Sequence, residues 1–494
     1  MNAFPAALGA SLLPVLLLAG LAAVCAVIGM IRPGQRPDLY RWIAVIALLG
    51  AVTSSAFTLA ATTKAPGGVA IAVWGGGLLV DRFSLYVTVM VCAFALITCL
   101  SADVYLRRIP TRAPAFFALV LLVTAATSAL AAERGMATLF VTLEVVIVGI
   151  SGLHALVKAE ERAAEGAWKF LVEAAVGSAL LLYGLAILYG VAGSGDLRVA
   201  GAAVSRAPAA ATLGLALVLI GLTVPLGVAP LRQWLNRAGE ALPATVAGFV
   251  ITMGVTAGAV AWLRFGVSGL GASVGPWTAL TAVLAAIALG YAALAALSEG
   301  RVTRLVGAVA SSQAALLLLA LISTGPGASA HPAQGATAFL FALGVFGLAV
   351  LAAFAMLSIL ETARLPDALP EYRGLGRRSP VAAALLAAAL AALVGAPPAA
   401  GFIARVLLWE SSVDAGYGWL VVVAVAAVAV VAVPVTRLIA GMYAEPEREA
   451  PFTMAASPVL VRVVAGAVSV AGFLATLVAQ PLLLLAHGAA GSLH

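Results

Sequence analysis

Long apolar segments follow one another from end to end of this chain, and the connections between them are too short to fold by themselves. The segments lie near 7–30, 40–62, 80–106, 113–132, 136–156, 165–191, 210–231, 243–265, 275–297, 303–324, 335–360, 380–410, 416–441 and 458–486. A helix of about twenty apolar residues crosses the hydrocarbon of a bilayer and satisfies its own backbone groups on the way. The pattern predicts an all-α, polytopic membrane protein of about 14 transmembrane helices. Composition agrees: 63% of the 494 residues are apolar and 10% are charged, against about 25% charged in soluble domains. An ordinary soluble enzyme is excluded. The first segment is too long for a signal peptide and lacks the usual cleavage site, so it reads as a retained helix.

The formal charge of +7 does not indicate nucleic acid, because the basic residues are scattered among the connections rather than clustered. Membrane topology accounts for them. Of the 27 Lys and Arg residues, 18 fall in odd-numbered connections and 6 in even-numbered ones, with Lys169, Arg405 and Arg462 inside spans. The positive-inside rule then puts the odd connections in the cytoplasm and both termini on the outer side. Cys25, Cys92 and Cys99 stand singly in apolar runs, which implies neither a disulfide framework nor a metal site. Those thiols and four scattered histidines cannot hold an iron–sulfur cluster, and no quinone or flavin motif is present.

Ionisable residues at membrane depth are where function is sought, since each is costly in lipid. Glu144 lies mid-span in FVTLEVVIVGISGLHALV, and Lys169 follows in EGAWKFLVEAAVGSALLLYG with Glu173 one turn beyond it. Residues four apart share a helix face, so that ammonium and carboxylate can meet, and Glu144 is expected to approach both. Arg405 follows a proline–glycine break in GAPPAAGFIARVLLWE. The plain alternative for each is a structural ion pair between helices, and Lys169 can also snorkel to the interface.

Two spans are interrupted. Pro225 and Pro230 fall in the seventh, and Pro397 with Pro398 in the twelfth. Proline removes an amide donor and clashes with the preceding turn, so both helices are expected to kink or unwind. Unwound backbone at membrane depth is tolerated only inside protein or beside water. The breaks are five spans apart, an odd number, so equivalent helices run in opposite senses, as in inverted repeats. Simple packing kinks are the other reading.

The segment LEVVIVGISGLHALVKAEERAAEGAWKFLVEAAVGSALLLYGLAILYG resembles the fifth and sixth helices of the antiporter-like membrane subunits of respiratory complex I, members of the proton-conducting antiporter superfamily. Within that family it is most similar to the subunit N type of bacterial NADH–quinone oxidoreductase. VDRFSLY at 80–86, APLRQW at 229–234 and GAPPAAGFIARVLL at 395–408 extend the resemblance over residues 80–445. It implies helices 1–3 in residues 1–112, a first repeat of helices 4–8 in 113–266, a second inverted repeat of helices 9–13 in 267–445, and helix 14 in 446–494. It also implies an arm that moves protons when a partner arm reduces quinone.

Carried over by residue, the resemblance implies a proton relay of Glu144, Lys169, Glu173 and Arg405, the last standing where the family has a lysine. The seventh-helix lysine falls on Pro225, that motif's histidine on Arg232, and the eighth-helix lysine on Val255; Thr303 and Gln313 replace a lysine and a histidine of the tenth span. A relay needs groups that titrate near neutral pH, which a desolvated lysine does and an arginine does not. The chain has only three lysines, Lys64, Lys158 and Lys169, so the central relay is expected to be largely missing and any proton there to need a water route past Pro225 and Val255.

Three readings follow. The chain is a subunit of a proton-translocating NADH–quinone oxidoreductase in a bacterial inner membrane, with other membrane and hydrophilic subunits as partners. In that reading it has no metal or cofactor of its own, and quinone, FMN and iron–sulfur clusters lie in the partners. Alternatively it is the equivalent subunit of a group 4 hydrogenase or a multisubunit cation/proton antiporter, or a scaffold that has lost transport.

Overall fold

The computed structural model describes residues 4–31, 37–63, 71–73, 77–107, 109–156, 161–203, 208–228, 233–269, 274–324, 332–445, 458–475, 477 and 479–493. Its helices run α1 (Phe4–Ile31), α2 (Pro37–Thr63), α3 (Arg82–Ser101), α4 (Asp103–Leu106), α5 (Ala113–Leu130), α6 (Met136–Ala155) and α7 (Glu161–Ala192). Then come α8 (Leu197–Ala203), α9 (Pro208–Leu226), α10 (Gln233–Ala241), α11 (Ala244–Leu263), α12 (Val274–Ser298) and α13 (Val302–Ser323). The last third holds α14 (Pro332–Thr362), α15 (Leu375–Arg378), α16 (Pro380–Val394), α17 (Ala400–Asp414), α18 (Gly418–Tyr443), α19 (Val459–Leu474) and α20 (Ala479–Ala490). A short antiparallel pair, β1 (Ile71–Val73) and β2 (Leu78–Val80), precedes α3 with Ile71 opposite Val80.

Among the described residues twelve helices are long and apolar enough to cross a membrane, and thirteen if α19 and α20 form one span. The sequence expectation of about fourteen further requires α16 and α17 to count as one broken span, since α16 is too short to cross alone. The chain is a multi-pass helical membrane protein.

Burial grades from the middle outwards. α11 is buried along its whole length, and α13 and α14 nearly so. α1, α2, α7 and α18 instead turn large apolar side chains outward, among them Phe57, Trp168, Tyr183 and Val422. An apolar face left exposed all along a long helix is what lipid or another membrane chain covers. Small residues let the inner helices close up: a Cβ on Gly184 of α7 would lie 2.6 Å from the Gly214 carbonyl oxygen and 2.7 Å from the Val218 nitrogen of α9. Such backbone-to-backbone contact is how helices gain dispersion energy in lipid, where burial of apolar surface offers nothing.

Carboxylates tie the helix ends together. Asp81 caps α3 through a capping box with Ser84, the Ser84 N–H donating to Asp81 Oδ1 at 2.8 Å and the Asp81 N–H to Ser84 Oγ at 3.0 Å. The same carboxylate takes both hydrogen bonds of Arg264 Nη2 at 2.8 Å, with both side chains almost fully buried. Arg264 also donates to the Ala131 carbonyl at 2.5 Å and lies 4.7 Å from the centre of the Phe83 ring. Beside it Glu133 accepts from Thr142 at 2.7 Å, and burial pushes its carboxyl above the usual range against the pull of the Thr138 and Thr142 hydroxyls and of Arg264. Glu361 accepts from the Ala244 N–H at the start of α11 at 3.1 Å, and Asp367 accepts from the Thr303 N–H of α13 at 3.1 Å. These last two cap helices that lack a capping side chain of their own, filling donors that a helix N-terminus leaves open.

Candidate functional site

Both interruptions end in the same backbone device. α9 stops one residue after Pro225, and Gly227 then takes a left-handed φ of 71°. The Gly227 N–H donates to the Val224 carbonyl at 2.9 Å and the Val228 N–H to the Thr223 carbonyl at 3.1 Å. At the second interruption Gly395 has φ 69°, its N–H donates to the Ala392 carbonyl at 3.1 Å, and the Ala396 N–H reaches the Ala391 carbonyl at 2.9 Å. This pair of crossed bonds closing on a left-handed glycine is the Schellman motif. The Pro397–Pro398 peptide is cis, and α17 begins two residues later. Pro230 and Arg232 lie outside the described residues.

What surrounds the two breaks differs. Around the first, freed carbonyls are taken up locally: Ser311 Oγ donates to the Gly227 carbonyl at 2.8 Å and Trp234 Nε1 to the Val224 carbonyl at 2.7 Å. Glycines of α11 press against the same turn. A Cβ on Gly258 would lie 2.6 Å from Leu226 Cα and 2.7 Å from the Pro225 carbonyl carbon, and one on Gly254 would lie 2.5 Å from the Trp234 ring. Val255, where the family's eighth-helix lysine falls, is fully buried between them. Thr256 satisfies its hydroxyl on the Thr252 carbonyl at 2.7 Å, while the hydroxyls of Thr252 and Ser312 are buried without a partner.

Around the second break sits a buried cation. Arg405 is 4% exposed, and its Nε and Nη2 have no hydrogen-bond partner. A Cβ on Gly395 would lie 2.8 Å from both its Cζ and its Nε, so the guanidinium rests on bare glycine backbone. Arg405 and Gln313 line one small cavity of about 20 Å³ together with Leu317, Phe346 and Leu408. The Gln313 amide nitrogen is also buried without a partner.

The remaining charges are arranged otherwise than the spacing suggests. Lys169 does not reach Glu173 or Glu144: it bonds Glu165, one turn before it on α7, and is about half exposed. A glutamate four residues N-terminal to a lysine is the better-oriented pair on a helix, and Glu173 is already engaged. Its Oε1 accepts from Arg237 Nη1 of α10 at 2.5 Å, with side-chain exposures of 15% and 28%. Glu144 is half buried on α6 with Oε1 unpartnered. The expected cluster of Glu144, Lys169 and Glu173 is thus three separate arrangements. Thr303, at a family lysine position, gives both its N–H and its hydroxyl to Asp367, and burial lifts that carboxyl above the usual range despite those bonds and nearby Arg301.

Sequence reasoning passes over two of these contacts. Asp81 lies inside VDRFSLY, and Asp followed three residues later by Ser before an apolar run is a helix-start signal that could have marked it. Arg264 and Arg237 read as connection charges, and no local signal in the sequence marks their partners.

Fold and breaks together define a polytopic helical membrane protein in which α9 and α16 each end on a left-handed glycine beside proline. The family described as NADH:quinone oxidoreductase/Mrp antiporter, TM, matches residues 134–430, more than half of the sequence. The chain belongs to that family. It is 30% identical over 441 residues to NADH-quinone oxidoreductase subunit N 2 of Acidobacterium capsulatum, covering 85% of this chain and 87% of that one. Subunit N of Rubrobacter xylanophilus is 30% identical over 421 residues, 85% of this chain and 84% of its own. A chain of respiratory complex I from Thermus thermophilus superposes with a TM-score of 0.76 at 27% identity, over 95% of this chain and 99% of that one. A chain of the Mrp complex from Dietzia sp. DQ12-45-1b shares the fold with a TM-score of 0.83 at 20% identity, over 98% and 97%.

Proposed function

We infer that this chain is a membrane-arm subunit of a proton-translocating NADH–quinone oxidoreductase, in the place that subunit N takes in its relatives. The observation that carries the reading is the 30% identity to subunit N chains over 85% of this one. The matched solved chains come from multisubunit membrane complexes, and this chain is accordingly a subunit of such a complex. In this reading it holds no redox site of its own. Quinone, FMN and iron–sulfur chemistry belong to membrane and hydrophilic partner subunits, and quinone reduction there is coupled to proton movement here. The bilayer is a bacterial inner membrane, with both termini on the outer side as the distribution of Lys and Arg implies.

In this reading residues 113–266 and 267–445 are inverted repeats between helices 1–3 (1–112) and helix 14 (446–494), and α9 and α16–α17 are equivalent broken helices. α9 and α16 both end on a left-handed glycine, an ending that α17 shares at Gly416. Glu144, Lys169, Glu173 and Arg405 are the candidate relay, interrupted at its centre. Tight packing of Pro225, Gly258 and Val255 supports a closed central section, so coupling in the complex rests chiefly on other antiporter-like subunits.

Two experiments test this. Solubilised in mild detergent, the tagged chain should copurify with NADH-dehydrogenase and quinone-reducing subunits; hydrogenase subunits, or antiporter subunits alone, would replace this reading with one of its alternatives. Protons moved per electron pair test the closed centre. A native complex with the full count expected of an intact relay, lowered by Glu144→Gln, would refute it.

A further inference from the structure

Beside the second break the described residues leave one charge without a counter-charge. No carboxylate pairs with Arg405, and both its Nε and its Nη2 are buried and unbonded. The nearest acid along α17 is Glu410, five residues on and about 140° around the helix, and it is exposed on another face. Arginine cannot relieve the strain by releasing its proton, as a lysine in the same place would. A buried ion that stays charged needs either an opposite charge or a set of dipoles turned toward it.

The cavity next to it is unusual in what it offers. Its volume of about 20 Å³ matches one water-sized occupant. Apart from Arg405 and Gln313 its lining is apolar. The fully buried atoms without a partner on those two side chains, the guanidinium Nε and Nη2 and the Gln313 amide nitrogen, are all N–H donors. A water there accepts two such bonds and donates to the Gln313 amide oxygen, but it supplies no charge. A monatomic anion fits the same space, accepts N–H bonds and neutralises the guanidinium. Polyatomic anions such as phosphate or a carboxylate are too large.

We propose that Arg405 and Gln313 form a binding site for a single monatomic anion of the halide class, chloride under ordinary conditions. The site lies between α13, α14 and α17, beside the glycine that ends α16, so the ion links helices on both sides of the break. It stands independently of the reading of the chain as an oxidoreductase subunit.

The test uses the purified complex containing the full chain, melted in potassium chloride and in potassium gluconate at equal ionic strength. Chloride should raise the melting temperature of this subunit, with a shift that grows with the logarithm of its concentration above the dissociation constant, and bromide should substitute. In crystals grown with bromide, anomalous scattering should place the ion beside the Arg405 guanidinium. Gln313→Glu provides a built-in carboxylate, so this variant should assemble and lose the chloride dependence. Arg405→Met should lose it too, by removing the charge. The proposal is overturned if the native subunit melts at the same temperature in both salts, or if Gln313→Glu keeps the native chloride response.

Discussion

The first and second breaks are built alike and used differently. Each closes a helix on a left-handed glycine with the same two crossed hydrogen bonds, at Gly227 and at Gly395. Around Gly227 the gap is filled by protein: Ser311 and Trp234 bond its carbonyls, and Gly258 of α11 lies against the turn with no room for a methyl group. Around Gly395 stand a buried guanidinium and a cavity of about 20 Å³. An interrupted helix therefore does not by itself make a polar site. The neighbouring helices decide whether freed backbone groups are absorbed locally or left facing an ion.

On that contrast, the first break cannot accept a charge where the second holds one. Val255→Lys should be the most damaging substitution, since it places an ammonium on a fully buried position of α11. Loss of about 3–5 kcal/mol is expected by analogy with uncompensated buried charges. Abundance of the assembled subunit in membranes checks it, and normal assembly would mean that the first break conceals polar space. Gly258→Val comes next, at about 1–3 kcal/mol for overpacking, because backbone rather than a movable side chain lies in the way. A melting temperature equal to the native one would show that the turn can open.

Alanine at the two glycines compares the breaks directly. Both substitutions place a Cβ in the left-handed region at a cost of about 1–2 kcal/mol. At Gly227 the new methyl also meets the Leu235 side chain, 2.9 Å from its Cγ, whereas at Gly395 it meets the Arg405 guanidinium at 2.8 Å and the backbone carbonyl oxygen of Gly401 at 2.9 Å. Gly395→Ala should therefore lower the melting temperature more than Gly227→Ala, because backbone gives way less than a side chain. The reverse order would mean that Leu235 is the more rigid neighbour.

The smallest effect is a pH dependence at the start of α13. Burial raises the Asp367 carboxyl above its unfolded value, so the folded chain binds the proton more tightly than the unfolded one. Stability then falls as pH rises from the ordinary aspartate range through the raised value, and is regained on acidification across that window. Asp367→Asn keeps an acceptor for the Thr303 N–H and should flatten this slope without changing stability at low pH. An unaltered slope would assign the pH dependence to another carboxyl, Glu133 being the first to examine.

Much of this architecture is legible in the amino-acid sequence. Spans show because lipid leaves no tolerance for a polar stretch of backbone, and helix ends at Pro225 and near Pro397 show because proline acts on its own turn. Charges at depth show for the same reason, but their partners do not. Face-sharing alone pairs Lys169 with Glu173, yet the same face also carries Glu165 one turn earlier, and local spacing cannot choose between them. Glu173 is taken by Arg237, 64 residues away, and Asp81 by Arg264, 183 residues away.

The sequence by itself determined that this chain lies in a membrane, where its helices run and where two of them stop, because hydropathy and backbone restriction act within a single segment. Only the tertiary structure decided which acid meets which base, and that one break is packed shut while the other presents a guanidinium to a cavity. Those outcomes depend on side chains brought from α10, α11, α13 and α14 to α7 and to the ends of α9 and α16, and no period or motif within one helix encodes what will face it across the gap.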